Sequence, residues 1–201
     1  MSIPRDVIVI GAAEGGLAPL LVLLKALPAE FPAAVLVMLC RHPLALLGEI
    51  MESHADMPIS YASDGEEVEI GHIYLSPPEF HLVVRAPGVL GLEARSIGDE
   101  PRPAIDGLFR SAAQVYGHRV IGIILSGCDG GGTEGLEAIE DADGIGIVQA
   151  PEEAAVPEMP NHALAHDRPH YVASIEGIAT LLTTLVGERR VAAIAQKREP
   201  S

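Results

Sequence analysis

The sequence predicts an α/β fold in three layers, with a mainly parallel, doubly wound sheet that carries an antiparallel edge. Three observations predict it. Runs of β-branched and aliphatic residues alternate along the chain with helical patterns, which is the mark of strand–helix–strand units. Ala33 to Leu39 is apolar without interruption, as a parallel strand covered on both faces would be. Val7 to Gly16 reads VIVIGAAEGG, so a β-branched strand runs into a glycine-rich elbow that feeds a leucine-rich helix.

The elements follow in order. After the first strand come a helix over Leu17 to Leu27, the strand Ala33 to Leu39, and a second helical pattern from Pro43 to about Ser53. Ile59 to Leu92 differs: short alternating segments broken by Asp64-Gly65, Pro77-Pro78 and Pro87-Gly88 read as the antiparallel edge. The rhythm then resumes with helix Ile105 to Tyr116, strand Val120 to Leu125, helix Thr133 to Ala142 and strand Ile145 to Gln149. Helices near Asn161 to His166 and over Ser174 to Val186 close the pattern. Residues 1–187 therefore read as one domain and residues 188–201 as a flexible C-terminal tail.

Composition excludes several classes of function. At 201 residues the chain can bury one sizeable core, and with 48% hydrophobic but only 3% aromatic residues that core is built of Val, Ile, Leu and Ala. A formal charge of −15 repels nucleic acid and anionic lipid, so neither is an expected partner. The apolar runs are too short to cross a bilayer, and Met1 to Asp6 lacks the pattern of a signal peptide, so the expected location is cytoplasmic. Cys40 and Cys128 do not make a secreted disulfide framework. No cofactor is expected either. Ala13 stands where a dinucleotide fingerprint needs its middle glycine, the elbow ends Gly15-Gly16-Leu17 instead of Gly-Lys-Ser/Thr, and the Glu14 carboxylate competes with any phosphate for the helix N-terminus.

In an open α/β sheet, ligands and chemistry sit where strands end and helices begin. This elbow offers Ala12, Ala13 and Glu14, with no hydroxyl or thiol.

A longer set of residues carries a family resemblance: the elbow, the strand Ala34 to Cys40, the Asp64-Gly65 turn, Ile73 to Pro77, Arg102-Pro103-Ala104-Ile105-Asp106, Leu108 to Ala113, Ile124 to Gly127, Gly132-Thr133, Gly135-Leu136 and Met159-Pro160. In this order, from about Val7 to Leu185, they resemble the catalytic domain of the CheB family of chemotaxis protein-glutamate methylesterases. The resemblance implies an α/β domain with a largely parallel sheet and a serine hydrolase that removes methyl esters from chemoreceptor glutamates. The family also carries an N-terminal receiver domain. Only Met1 to Asp6 precede the first strand here, so control by a receiver in the same chain is not expected.

The chain departs from the family at the three positions of its triad. The family elbow resembles Gly-Ala-Ser-Thr-Gly-Gly, which puts the serine on Ala13 and the threonine on Glu14. The family histidine, ending the second strand in a Val-Gln-His pattern, falls on Cys40. The family aspartate, in Gly-x-Gly-x-Asp-Gly, falls on Gly131. Alanine cannot attack a carbonyl, cysteine replaces imidazole poorly as a base, and glycine orients nothing. The reading is a catalytically inactive methylesterase-like domain, a binding or regulatory module whose partner is a protein segment such as a chemoreceptor or signalling helix.

The alternative is an enzyme: an active methylesterase, or a hydrolase whose chemistry has moved to Cys40 or Cys128 with His42 and Asp129. Glu14, His42, Cys128 and Asp129 are the possible substitutes. No metal is expected, because Cys40, His42, Cys128, Asp129 and Glu14 lack the spacing of established sites. His162, His166 and His170 recur every four residues, but Pro169 interrupts the helix, so they read as a surface cluster.

Overall fold

Strand β1 (Val7–Ala12) is buried along its whole length, and its side chains divide by parity. Ile8 and Ile10 enter one apolar cluster, Val7 and Val9 the other. The same division holds along β2 (Ala34–Leu39) and β7 (Val120–Ile124), so each strand supplies both faces of the sheet. The computed structural model describes residues 5–40, 47–94 and 102–196.

The remaining strands are β3 (Ile59–Tyr61), β4 (Ile73–Leu75), β5 (Phe80–Ala86), β6 (Val89–Ala94), β8 (Ile145–Gln149) and β9 (Tyr171–Ala173). Seven of the nine strands among the described residues form one sheet in the order β3-β4-β2-β1-β7-β8-β9. Every pairing in that sheet is parallel. The chain winds outward from β1 through β2 on one side and through β7 on the other, which makes the C-terminal ends of β1 and β7 the topological switch point.

Helices cover both faces. Helix α1 (Leu17–Ala26), α2 (Leu47–Glu52) and α6 (Ile175–Gln196) contribute Leu20, Leu24, Met51, Ile178 and Leu182 to the Ile8/Ile10 face. Helix α3 (Arg102–Tyr116), α4 (Thr133–Asp141) and α5 (Glu158–His166) contribute Phe109, Leu136, Ile139 and Met159 to the opposite face. On α3, Ile105, Leu108, Phe109 and Ala112 are all buried at the three- and four-residue spacing that a core-facing helix requires.

Strands β5 and β6 pair antiparallel in a separate two-stranded sheet, and an isolated antiparallel bridge joins Glu67 to Val89. Strands β3 and β4, read from sequence as part of that antiparallel edge, instead extend the main sheet in parallel. The β5–β6 hairpin lies on α3, which satisfies its outward N–H groups: Val84 N–H donates to Ser111 Oγ (3.0 Å) and Gly88 N–H donates to Tyr116 Oη (2.8 Å). A strand served in this way by helix side chains does not need the sheet rim.

Helix α6 continues through residues 188–196, where a tail was expected. Gly187 alone costs a helix about 1 kcal/mol, and the Glu-Arg-Arg-Val-Ala-Ala-Ile-Ala-Gln run behind it is otherwise compatible with helix. Residues 197–201 lie outside the described residues.

The loop between β7 and α4 is held from α3. Gly132 has φ of 89°, a left-handed conformation that glycine adopts without strain. Gly132 N–H donates to Asp106 Oδ2 (3.1 Å) and Gly135 N–H to Asp106 Oδ1 (2.7 Å), so a carboxylate from a neighbouring helix caps the N-terminus of α4. A Cβ on Gly135 would approach Phe109 Cβ to 2.6 Å, so the two helices meet closely there. Burial pushes the Asp106 carboxyl above the usual carboxylate range, against the pull of those two N–H groups. The folded state therefore holds this proton more tightly than the unfolded chain. Its contribution to stability is full below the unfolded value and is lost as pH rises through the folded one. Asp106→Asn keeps one acceptor oxygen for two donors and should destabilise the protein by about 1–2 kcal/mol at neutral pH in urea unfolding. The deficit should widen towards acid pH, where only the parent protein gains; a deficit that narrows would contradict this account.

Candidate functional site

The sequence-predicted positions lie along one edge of the sheet, after the C-terminal ends of three neighbouring strands. Ala13 follows β1 directly, Cys40 follows β2 directly, and Gly131 lies in the loop between β7 and α4. The ladder of β1 and β2 runs to Ala12 opposite Leu39, and Cys40 N–H donates to Ala12 O (2.9 Å), which fixes Cys40 beside the elbow. Ala13 N–H donates to Ser126 O (3.0 Å), which ties the elbow to the end of β7.

Ala13 itself is 2% exposed, and its methyl belongs to the cluster that contains Met38, Tyr74 and Met159. Met159, the second residue of α5, rests its sulfur on Gly127, and a Cβ built on Gly127 would come within 3.1 Å of the Ala13 methyl. The elbow residue is thus packed from the side of α5. Glu14, by contrast, is exposed, and its backbone carbonyl accepts from Ser126 Oγ (3.1 Å).

Of the possible substitutes, Cys128 and Asp129 are half-buried on the loop after β7. Asp129 Oδ1 accepts from Gly131 N–H (2.9 Å), a local turn that Asp side chains commonly form. Its Oδ2 is buried without a hydrogen-bond partner among the described residues. Cys40 and Cys128 are thiols. His42 lies outside the described residues.

Two features were not read as parts of the site. The first is Ser126, which is fully buried: its N–H donates to Gln149 Oε1 (2.9 Å), and its Oγ accepts from Val156 N–H (2.9 Å). It appeared in sequence only as half of a Ser-Gly pair, and the segment that it clamps lies 30 residues away.

The second is His162. Its Nδ1 lies 2.9 Å from the buried Thr133 hydroxyl, and a Cβ on Gly130 would meet three of its ring atoms at 2.8 to 2.9 Å, so the imidazole lies on the loop that carries Gly131. The ring stacks on His166 with centroids 4.1 Å apart. The expected trio of histidines therefore splits, because His170 pairs elsewhere, with Glu140. The four-residue spacing gave the stack, but nothing local signals that His162 reaches the loop before α4.

No group of three or more His, Cys, Asp or Glu side chains among the described residues is arranged to hold a metal ion. No helix among them is long and apolar enough to cross a membrane.

Known proteins share this architecture. The CheB methylesterase family model matches residues 8–182. A putative protein-glutamate methylesterase/protein-glutamine glutaminase of Leptospira interrogans is 33% identical over 184 residues, covering 90% of this chain and 94% of that protein. Protein-glutamate methylesterase/protein-glutamine glutaminase 2 of Methanosarcina acetivorans is also 33% identical, over 92% of this chain but 54% of its own length. The crystal structure of the Thermotoga maritima CheB methylesterase catalytic domain superposes with a TM-score of 0.84 at 29% identity, covering 92% of this chain and all of that one. With the parallel sheet, the elbow at its switch point and the docked hairpin, these matches show that the chain belongs to the CheB methylesterase family.

Proposed function

We propose that this chain is a catalytically inactive member of the family, a binding or regulatory module of chemotaxis-type signalling in the cytoplasm that grips a protein segment such as a chemoreceptor helix. The observation that carries the reading is Ala13: the elbow residue at the switch point is a buried methyl, with no oxygen to attack a carbonyl. Cys40 and Gly131 support it, because these two positions carry neither an imidazole nor a carboxylate.

The relatives' names describe two reactions at one kind of atom, hydrolysis of a glutamyl methyl ester and of a glutamine amide. Both need attack at a side-chain carbonyl, and they release methanol or ammonia respectively. The purified chain should therefore release neither from methylated or amidated receptor segments above the buffer background, and it should resist labelling by fluorophosphonate probes. It should still bind such a segment, measurable by calorimetry. Robust turnover would overturn the inactive reading.

A second reading has one observation in its favour. Cys128 is half-buried two residues from Gly130, against which the His162 ring of α5 packs, so the loop that carries the thiol also meets an imidazole. If turnover appears and Cys128→Ala or Cys40→Ala abolishes it, a relocated thiol hydrolase is the correct description.

Restoring the side chains tests whether the frame remains competent. Ala13→Ser, Cys40→His and Gly131→Asp together should raise hydrolysis of a small activated ester at least about tenfold over the parent chain. Adding Glu14→Thr should raise it further, because a carboxylate beside the elbow opposes the negative charge that develops on the attacked carbonyl. A folded quadruple variant without activity would mean that the cleft has been rebuilt beyond these four side chains.

A further inference from the structure

Glu140, near the end of α4, is almost enclosed, with its side chain 15% exposed. Its Oε1 rests against Gly146 of β8, where any side chain larger than hydrogen would collide with it. It lies 2.8 Å from His170 Nδ1 and accepts from His170 N–H (3.3 Å), at the residue just before the edge strand β9.

The same His170 Nδ1 lies 3.3 Å from Gly146 N, whose N–H points at it. One nitrogen therefore faces a donor and a carboxylate at once. If it carries a hydrogen, it serves Glu140 and cannot accept from Gly146; if it is bare, it serves Gly146 and not an ionised Glu140. A third group completes the arrangement. Asp167, immediately after α5, has a buried Oδ2 with no hydrogen-bond partner among the described residues, and its Oδ1 accepts from Arg168 N–H (2.7 Å).

Asp167 and His170 are the charged or titratable groups that act on Glu140. β8 faces it with Gly146, and on α4 itself Asp141 lines the groove towards α3.

We propose that Glu140, Asp167 and His170 form a proton-operated latch that fastens edge strand β9 and the end of α5 to α4 and β8. Without an added proton, two carboxylates face each other. One proton from solvent, placed on Glu140, lets that carboxyl donate towards Asp167 while its Oε1 goes on accepting from His170 Nδ1–H and from His170 N–H. The uptake of one proton ends the confrontation of the two carboxylates.

The direction follows from burial, which pushes the Glu140 carboxyl above the usual range; the His170 hydrogen bond opposes the shift and the Asp167 charge adds to it. Such a group stabilises the folded state below its unfolded pKa, and that contribution is lost as pH rises through the folded one. The latch closes towards acid pH and loosens above it.

Amide hydrogen exchange on the full chain reads it out. Protection of Tyr171, Val172 and Ala173, corrected for intrinsic exchange, should rise about tenfold from about pH 8 to about pH 5. Glu140→Gln mimics the protonated carboxyl and should keep protection high and independent of pH. Asp167→Asn removes the facing charge and should flatten the rise, which keeps the test open if the first variant fails to fold. Strand β3, at the other edge and far from the trio in strand order, should show no comparable rise. A flat profile in the parent chain, a rise that persists in the variants, or an equal rise in β3 would each overturn the latch.

Discussion

The Ser126 hydroxyl is the contact on which the geometry of the switch point depends. A hydroxyl has one hydrogen and two lone pairs, and this one uses both capacities while fully buried: it accepts from Val156 N–H and shares its hydrogen between the carbonyls of Glu14 and Val156. Around it, Ala13 N–H reaches Ser126 O, Gly127 N–H reaches Val156 O, Met159 N–H reaches Gly127 O and the Gln149 amide oxygen receives Ser126 N–H. β1, β7, β8 and the approach to α5 are thereby locked to one another in the region where this fold places its site. Each of these groups would cost about 1–3 kcal/mol if it were buried unpaired, so the network is satisfied as a whole or not at all.

This network includes no side chain from the three triad positions. Ala13 contributes only its backbone N–H, and Gly131 is oriented by Asp129. The frame of a hydrolase and its chemistry are thus separable in this chain. A serine hydroxyl, an imidazole and a carboxylate converging on one cleft are polar groups held for reaction rather than for packing, and such sites usually cost stability. An apolar methyl at the elbow joins the Met38, Tyr74 and Met159 cluster without any hydrogen bond to satisfy. On the proposed inactive reading, an elbow without a reacting hydroxyl removes a constraint from the fold and leaves the contacts around Ser126 intact.

The parts of the fold that were legible in the sequence are those whose cause is local. The uninterrupted apolar runs of β1 and β2, the glycines of the elbow and the three- and four-residue spacing on α3 all act within a few residues, and the structure follows them. The placement of β3 and β4 was not legible, because a three-residue strand carries almost no periodic signal and its partner is chosen by the open rim of the sheet. Antiparallel strands were visible within Ile59 to Leu92, but the docking of β5 and β6 depends on Ser111 and Tyr116, whose hydroxyls lie 27 and 28 residues away. Within the site, the missing hydroxyl of the elbow could be read directly, whereas the Ser126 clamp and the His162 ring on Gly130 arise from tertiary contacts that no spacing encodes.

What remains at the C-terminal ends of the strands supports the proposed binding role. The carboxylate of Glu14 stands exposed beside the elbow, and Asp129 keeps a buried carboxylate oxygen on the neighbouring loop, so the fields there are negative where an acyl-transfer site must stabilise an oxyanion. The chain as a whole carries −15, which reinforces that sign. Charge of this kind cannot be offset by one repaired nucleophile, because the barrier depends on the environment of the developing negative oxygen as much as on the attacking atom. A partner segment, by contrast, needs only a rigid surface of fixed shape and sign. In the proposed binding role, the Ser126 network would supply the rigidity, α5 the shape, and the carboxylates of Glu14 and Asp129 the sign.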